Sequence, residues 1–186
     1  MLAACNPGEP ASQPRQDAPY DFLVLSLSWS PSYCEAEGKD ANRQQCGAQR
    51  PHAFVVHGLW PQFESGWPEF CPSDEPARVP DPLVRDLLDI MPSAGLIGHQ
   101  WRKHGTCSGM SQRDYFSLVR EAYEQVTIPR RFEQTPGLNS IAPDDVEKAF
   151  LDANANLADD GMAVTCNEGY ITEVRICLAK DLSFRT

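Results

Sequence analysis

The chain has 186 residues, 16 prolines and a formal charge of −10. That length fits one domain with a real core, and a 41% hydrophobic fraction with this much proline predicts long loops. The acidity excludes a protein that coats nucleic acid nonspecifically, because such proteins carry a basic surface; it leaves open an enzyme that grips a nucleic acid locally.

Residues 1–18 read as a leader, and residues 19–186 as a single domain. The leader is rich in Pro, Gln, Ser and Asp and is expected to be disordered. Its tetrapeptide Leu2-Ala3-Ala4-Cys5 looks like the end of a bacterial lipoprotein signal, without the apolar stretch that would precede it. A lipid anchor at Cys5 and a chance tetrapeptide both remain open. Residues 20–30 alternate apolar and small polar side chains, the period of a strand. Residues 35–50 are polar and read as a loop bracketed by Cys34 and Cys46. A short apolar strand spans 53–57 and ends at His57. Pro and Gly punctuate 61–82 as loop. Helical spacing predicts helices over 82–91, opened by Pro82 after Asp81, over 96–107, over 112–126 and over about 144–157. Two strands, 162–166 and 170–178, close the chain, with the charged positions 173 and 175 on one face. Strands at both ends and helices between them predict α+β, a central antiparallel sheet packed with several helices. No run approaches transmembrane length.

Seven cysteines point to an oxidising compartment. Cys5 lies apart from the other six, which can form three bridges in 15 pairings. No CxxC pair supports a zinc ribbon or a thioredoxin-type motif.

Three of the four histidines fall in two short segments. One is Phe54-Val55-Val56-His57-Gly58-Leu59-Trp60-Pro61. The other is His99-Gln100-Trp101-Arg102-Lys103-His104-Gly105-Thr106-Cys107. Two imidazoles suit acid/base catalysis at one bond, a lysine suits an anionic transition state, and an aromatic suits a nucleobase. On a helix, His99, Lys103, Gln100 and His104 fall at roughly 0°, 40°, 100° and 140° around the axis. They share one broad face, too polar to meet apolar core, while Trp101 and Arg102 point elsewhere and Trp101 reads as a core anchor. The His-x4-His spacing is not the His-x3-His of a helical zinc site, and Lys103 would repel a cation. Singly, each residue has an ordinary reading: His57 bonded to backbone, Trp60 in the core, Arg102 and Lys103 solvated, Cys107 in a disulfide. Their joint occurrence is what points to a site.

The segments FVVHGLWP and GLIGHQWRKHGTC resemble the two active-site segments of the ribonuclease T2 family. DFLVLSLSWSPSYC (Asp21 to Cys34) and CNEGYITEVRICLAKDL (Cys166 to Leu182) look like that family's first strand and C-terminal hairpin. The resemblance runs from about Tyr20 to Leu182, loosely in the middle helices. It implies an α+β endoribonuclease that is periplasmic or secreted and cuts single-stranded RNA, not DNA, with no metal or other cofactor; a monomer is expected. It implies His104 as the base that takes the 2'-hydroxyl proton, His57 as the acid on the leaving 5'-oxygen, and a 2',3'-cyclic phosphate product. His99 would hold the phosphate, Lys103 would stabilise the phosphorane, and Trp60 would stack a base. With proximity, it suggests the bridges Cys34–Cys46, Cys71–Cys107 and Cys166–Cys177.

Two positions depart from the family pattern. Gln100 stands where Glu is common, which predicts histidines near their ordinary value of about 6.5 and a Lys103 without a nearby anion. Gln62 stands where some members have an acidic base-reading residue. Three rival readings are a catalytically weakened RNA-binding relative, a disulfide-stapled surface lipoprotein, and a metallohydrolase.

Overall fold

A computed structural model describes residues 18–47, 52–133 and 141–185. The leader expected over 1–18, with Cys5 in it, lies outside these except for Ala18. Among the described residues no helix is long and apolar enough to cross a membrane.

Among the described residues four strands form one antiparallel sheet in the order β2-β1-β4-β3. They are β1 (Phe22–Trp29), β2 (Phe54–Gln62), β3 (Met162–Asn167) and β4 (Tyr170–Leu178). The helices are α1 (Ser30–Glu37), α2 (Arg43–Cys46), α3 (Asp81–Arg85), α4 (Ala94–Lys103), α5 (Gln112–Gln125), α6 (Arg130–Glu133) and α7 (Pro143–Ala153). The expected α+β class is the class observed.

The alternation in β1 divides the sheet into two faces. Leu23, Leu25, Leu27 and Trp29 are buried in the core. Their cross-strand partners Val174, Ile176 and Leu178 on β4 and Leu59, Val56 and Phe54 on β2 lie on that same face. Phe54 packs against Trp29 at 4.7 Å and Phe150 of α7 at 5.4 Å. Both pairs bury large ring area, and the Phe54–Phe150 pair has the favourable edge-to-face geometry. Ser26 and Ser28 point to the other face, beside Gly58, Glu173 and Arg175. This second face is polar, and it carries the site.

Several local expectations change. The loop expected over 35–50 contains α2 and the end of α1. These helices bury little apolar surface, so periodicity did not mark them; a disulfide between Cys34 and Cys46, Cα atoms 5.5 Å apart, holds them together. The helix expected over 82–91 stops at Arg85 and continues as tight turns. The chain must bend there because the Ile90 carbonyl accepts from Val56 N–H on the free edge of β2. The strand expected to end at His57 runs on to Gln62. The helix expected over 96–107 ends at Lys103, and a 3₁₀ turn over Gly105–Ser108 follows. Gly105 permits that tightening, because a Cβ there would overlap the Trp101 and Tyr115 rings.

The disulfide Cys71–Cys107 is present, with Cα atoms 5.0 Å apart. The third expected bridge is not: Cys166 and Cys177 are free. The hairpin register gives the reason. Cys166 stands opposite Ile171, whereas Cys177 stands six residues further along β4, beyond the Ile176–Met162 pair. At about 3.3 Å per residue that is roughly 20 Å, far outside disulfide reach.

Candidate active site

Two backbone devices aim the first histidine. Ser26 pairs with Gly58 and Leu27 with Val56, so His57 is the extra residue of a β-bulge. A bulge bends its strand and re-aims the side chain it carries. His57 thereby reaches across β1, and its Nδ1 hydrogen-bonds Oε1 of Glu173 on β4. Tyr115 of α5 donates to the Leu59 carbonyl at 2.8 Å and anchors β2 on the core side.

Helix α4 brings the second group. Ser93 caps it by accepting from Leu96 N–H at 3.2 Å, which sets the start of the turn that follows. Trp101 is fully buried and packs against Tyr115 and Phe116. With Trp101 as anchor, His99, Gln100, Lys103 and His104 all line one cleft of about 410 Å³. Arg102 lines a different hollow on the far side of the helix, with Arg78 and Arg85. The helix face read from the sequence is thus the face the structure presents.

His57, Trp60 and Gln62 of β2 line the same cleft, and so do Glu173 and Arg175. Trp60 stands between the two histidines, 5.4 Å from each ring, edge-on to His57 and stacked on His104. Its Nε1–H donates to Gln100 Oε1 at 2.9 Å, and the Arg175 guanidinium lies 5.2 Å from its ring centre. Gln62 folds back, its Nε2 donating to the Pro61 carbonyl at 2.9 Å.

The electrostatics differ from the expectation for Gln100. His104 is 6% exposed, and its Nδ1 has no hydrogen-bond partner among the described residues. Burial first, then the positive charge of Lys103 and the nearby His57 and His99, lower it to about 4. His99 is lowered as well, by burial and then by Lys103, Arg102 and His57. Lys103 does have an anion close by, since Glu69 Oε2 lies 3.6 Å from its Nζ. A carboxylate does meet His57, but it comes from β4 rather than from α4. Burial pulls Glu173 upward, yet the His57 bond and charge, followed by Arg175, outweigh it and hold the carboxyl at about 2.

Sequence reading missed Glu173, Arg175, Trp67 and Glu69 as site residues. The alternation of β4 put positions 173 and 175 on one face, but nothing local showed that this face meets His57. Trp67, 64% exposed and lining the cleft, lies in the loop after β2, where no periodicity operates.

Gly58 is the close-approach point between β2 and α4. A Cβ there would overlap Gln100 Oε1 and Trp60 Nε1. Gly58→Ala is expected to break the Gln100–Trp60 bond and leave buried polar groups unpaired, at a cost of roughly 1–3 kcal/mol. Urea unfolding measures it; a variant as stable as the parent would show that the cleft can shift to admit the methyl.

Fold and cleft together define a disulfide-stapled α+β protein with a paired-histidine site. The chain belongs to the ribonuclease T2 family, whose model matches residues 20–186. It is 38% identical over 112 residues to a protein named ribonuclease from Aeromonas hydrophila, an alignment covering 60% of this chain and 49% of that one. The chain spans about half the length of that protein and of a probable ribonuclease from Haemophilus influenzae. Among solved structures it is similar to an RNase-related protein from Calystegia sepium, with TM-score 0.68, 21% identity and 89% of each chain covered. It is also similar to RNase NT in complex with 5'-AMP, with TM-score 0.63, 24% identity, and 89% and 88% covered. At these identities the structures share the fold.

Proposed function

We propose that this cleft cleaves single-stranded RNA by metal-independent transphosphorylation. The observation that carries the reading is the pair of unequal histidine settings on either side of Trp60. His104 is buried and held at about 4, so near neutral pH it is an uncharged imidazole able to accept a proton. His57 stands on the other side of Trp60, its Nδ1 bonded to a carboxylate. Membership of the family and a solved neighbour that binds 5'-AMP support a nucleotide substrate.

In this reading His104 takes the proton of the 2'-hydroxyl, whose oxygen attacks the adjacent phosphorus. The 5'-oxygen leaves with a proton from His57, giving a 2',3'-cyclic phosphate. Hydrolysis of that product exchanges the two roles. Lys103 and His99 meet the charge that grows on the phosphorane, where prepositioned donors act most strongly. To do so Lys103 turns from Glu69 to the substrate, a small cost because that pair is partly exposed. Trp60 and the more open Trp67 supply ring surface for bases, and Gln62 a neutral amide beside them. DNA, lacking the 2'-hydroxyl, is not cut. The two disulfides support work in an oxidising compartment, periplasmic or extracellular.

The test is incubation with RNA with and without EDTA, followed by end-group analysis. Cyclic-phosphate ends in both samples are expected. Binding without cleavage would favour the weakened relative, and cleavage that EDTA abolishes and zinc restores would favour a metallohydrolase. The pH dependence is a sharper check. The acid limb of kcat/KM reports the free-enzyme base, so on a dinucleotide the rate should rise with pH through about 4, the His104 value. A limb at the ordinary imidazole value near 6.5 would remove buried His104 as the base.

A further inference from the structure

The mechanism above uses both histidines but gives the buried carboxylate between β2 and β4 no task. Glu173 is buried, and each of its oxygens has a partner. Oε1 meets Nδ1 of His57, while Oε2 accepts from Arg175 Nε at 2.9 Å and Nη2 at 2.8 Å. The register places Glu173 opposite Ser28 and Arg175 opposite Ser26 on β1. These small side chains leave the sheet face open, so a residue of β4 reaches across β1 to the bulged His57. Arg175 in turn lies over Trp60, whose indole N–H is held by Gln100. One continuous set of contacts therefore runs from β4 through His57 and Trp60 to α4.

We propose that Glu173 is the positioning residue of this site: clamped by Arg175, it accepts the Nδ1 proton of His57 and so leaves Nε2 as the atom that exchanges a proton with substrate. The proposal rests on the ribonuclease reading for its kinetic consequences, though not for the contact itself. A carboxylate at one imidazole nitrogen fixes both the ring orientation and the tautomer. The titratable and charged groups around His57 are Glu173 and Arg175 from β4, His99 and Lys103 from α4, and His104 just after it. Glu173 is the anion among them. Arg175 keeps it ionised and oriented, and the fork of two N–H groups on one oxygen leaves the other for His57.

The test separates positioning from mere folding, and from the choice of substrate. Long-range proton–nitrogen NMR of the neutral imidazoles, without substrate, reads the His57 tautomer. The expected result is an Nδ1–H form in the parent that is lost in Glu173→Ala. An Nε2–H form in the parent would overturn the proposal even if the protein cuts RNA. The expected tautomer in a protein that cuts no RNA would leave the contact standing and sink the ribonuclease reading. On a dinucleotide, Glu173→Ala should lower kcat by about 10–100-fold, the usual weight of such supporting partners, with little change in KM. In a His57→Ala background the same change should have no further effect, because a positioning residue acts only through its partner. An undiminished second loss would mean that Glu173 acts on the fold and not through His57. Should Glu173→Ala not fold, Glu173→Gln keeps the shape and removes the charge. Its kcat should fall while KM holds, and an unchanged kcat would refute a role for the carboxylate charge.

Discussion

His104→Ala should lower kcat on a dinucleotide by at least about 10²–10⁴-fold, the usual worth of one general acid/base step, while near-ultraviolet circular dichroism stays that of the folded protein. His57→Ala should fall in the same range. The double variant should lose little more than either single one, because groups that act on the same bond as a unit are not additive. Full activity in folded His104→Ala would remove the mechanism. The same variant carries a second signature. In the folded protein His104 is lowered to about 4, whereas in the unfolded chain it titrates near 6.5. Between those values the unfolded state binds more protons, so stability rises with pH. The contribution is complete above about 6.5 and is lost as pH falls through about 4. Thermal unfolding of the parent should show that loss, and His104→Ala should lack it. Identical pH curves for the two proteins would mean that His104 is not desolvated.

Removing the Cys71–Cys107 bridge should have the largest effect on stability. It closes 36 residues of chain, and the loss of loop-closure entropy in the unfolded state gives about 4 kcal/mol, within the 2–5 kcal/mol usual for native bridges. The bridge also bears on the site. Cys107 N–H bonds the His104 carbonyl at 3.0 Å, and Phe70 N–H bonds the Lys103 carbonyl at 2.8 Å. The bridge thus pins the loop after β2 to the end of α4, where His104 emerges. Cys71→Ala/Cys107→Ala should therefore unfold at lower urea by about that free energy and turn over more slowly at temperatures where it is still folded. Removing Cys34–Cys46, which closes only 12 residues, should cost less. A variant without Cys71 and Cys107 that matched the parent in both stability and rate would show that packing of Trp101 alone holds α4 in place.

The site was legible in the sequence wherever one element's own geometry decided the outcome. The turn of an α-helix alone puts His99, Gln100, Lys103 and His104 on one face and Trp101 on another, and packing left that order unchanged. The alternation of β1 likewise separated its core-facing leucines from Ser26 and Ser28. Long-range register decided the rest. One extra residue in β2 turns His57 toward β4, and no local pattern marks a bulge. Glu173 becomes its partner because β1 lies between the two strands with the small Ser26 and Ser28 at that level of the face. Cys166 and Cys177 sit close in sequence, yet the hairpin pairs each with other residues and separates them by most of a strand's length. Helical period and strand alternation are properties of a few consecutive residues. Pairing across a sheet depends on every connection between the strands, and so it exists only in the folded chain.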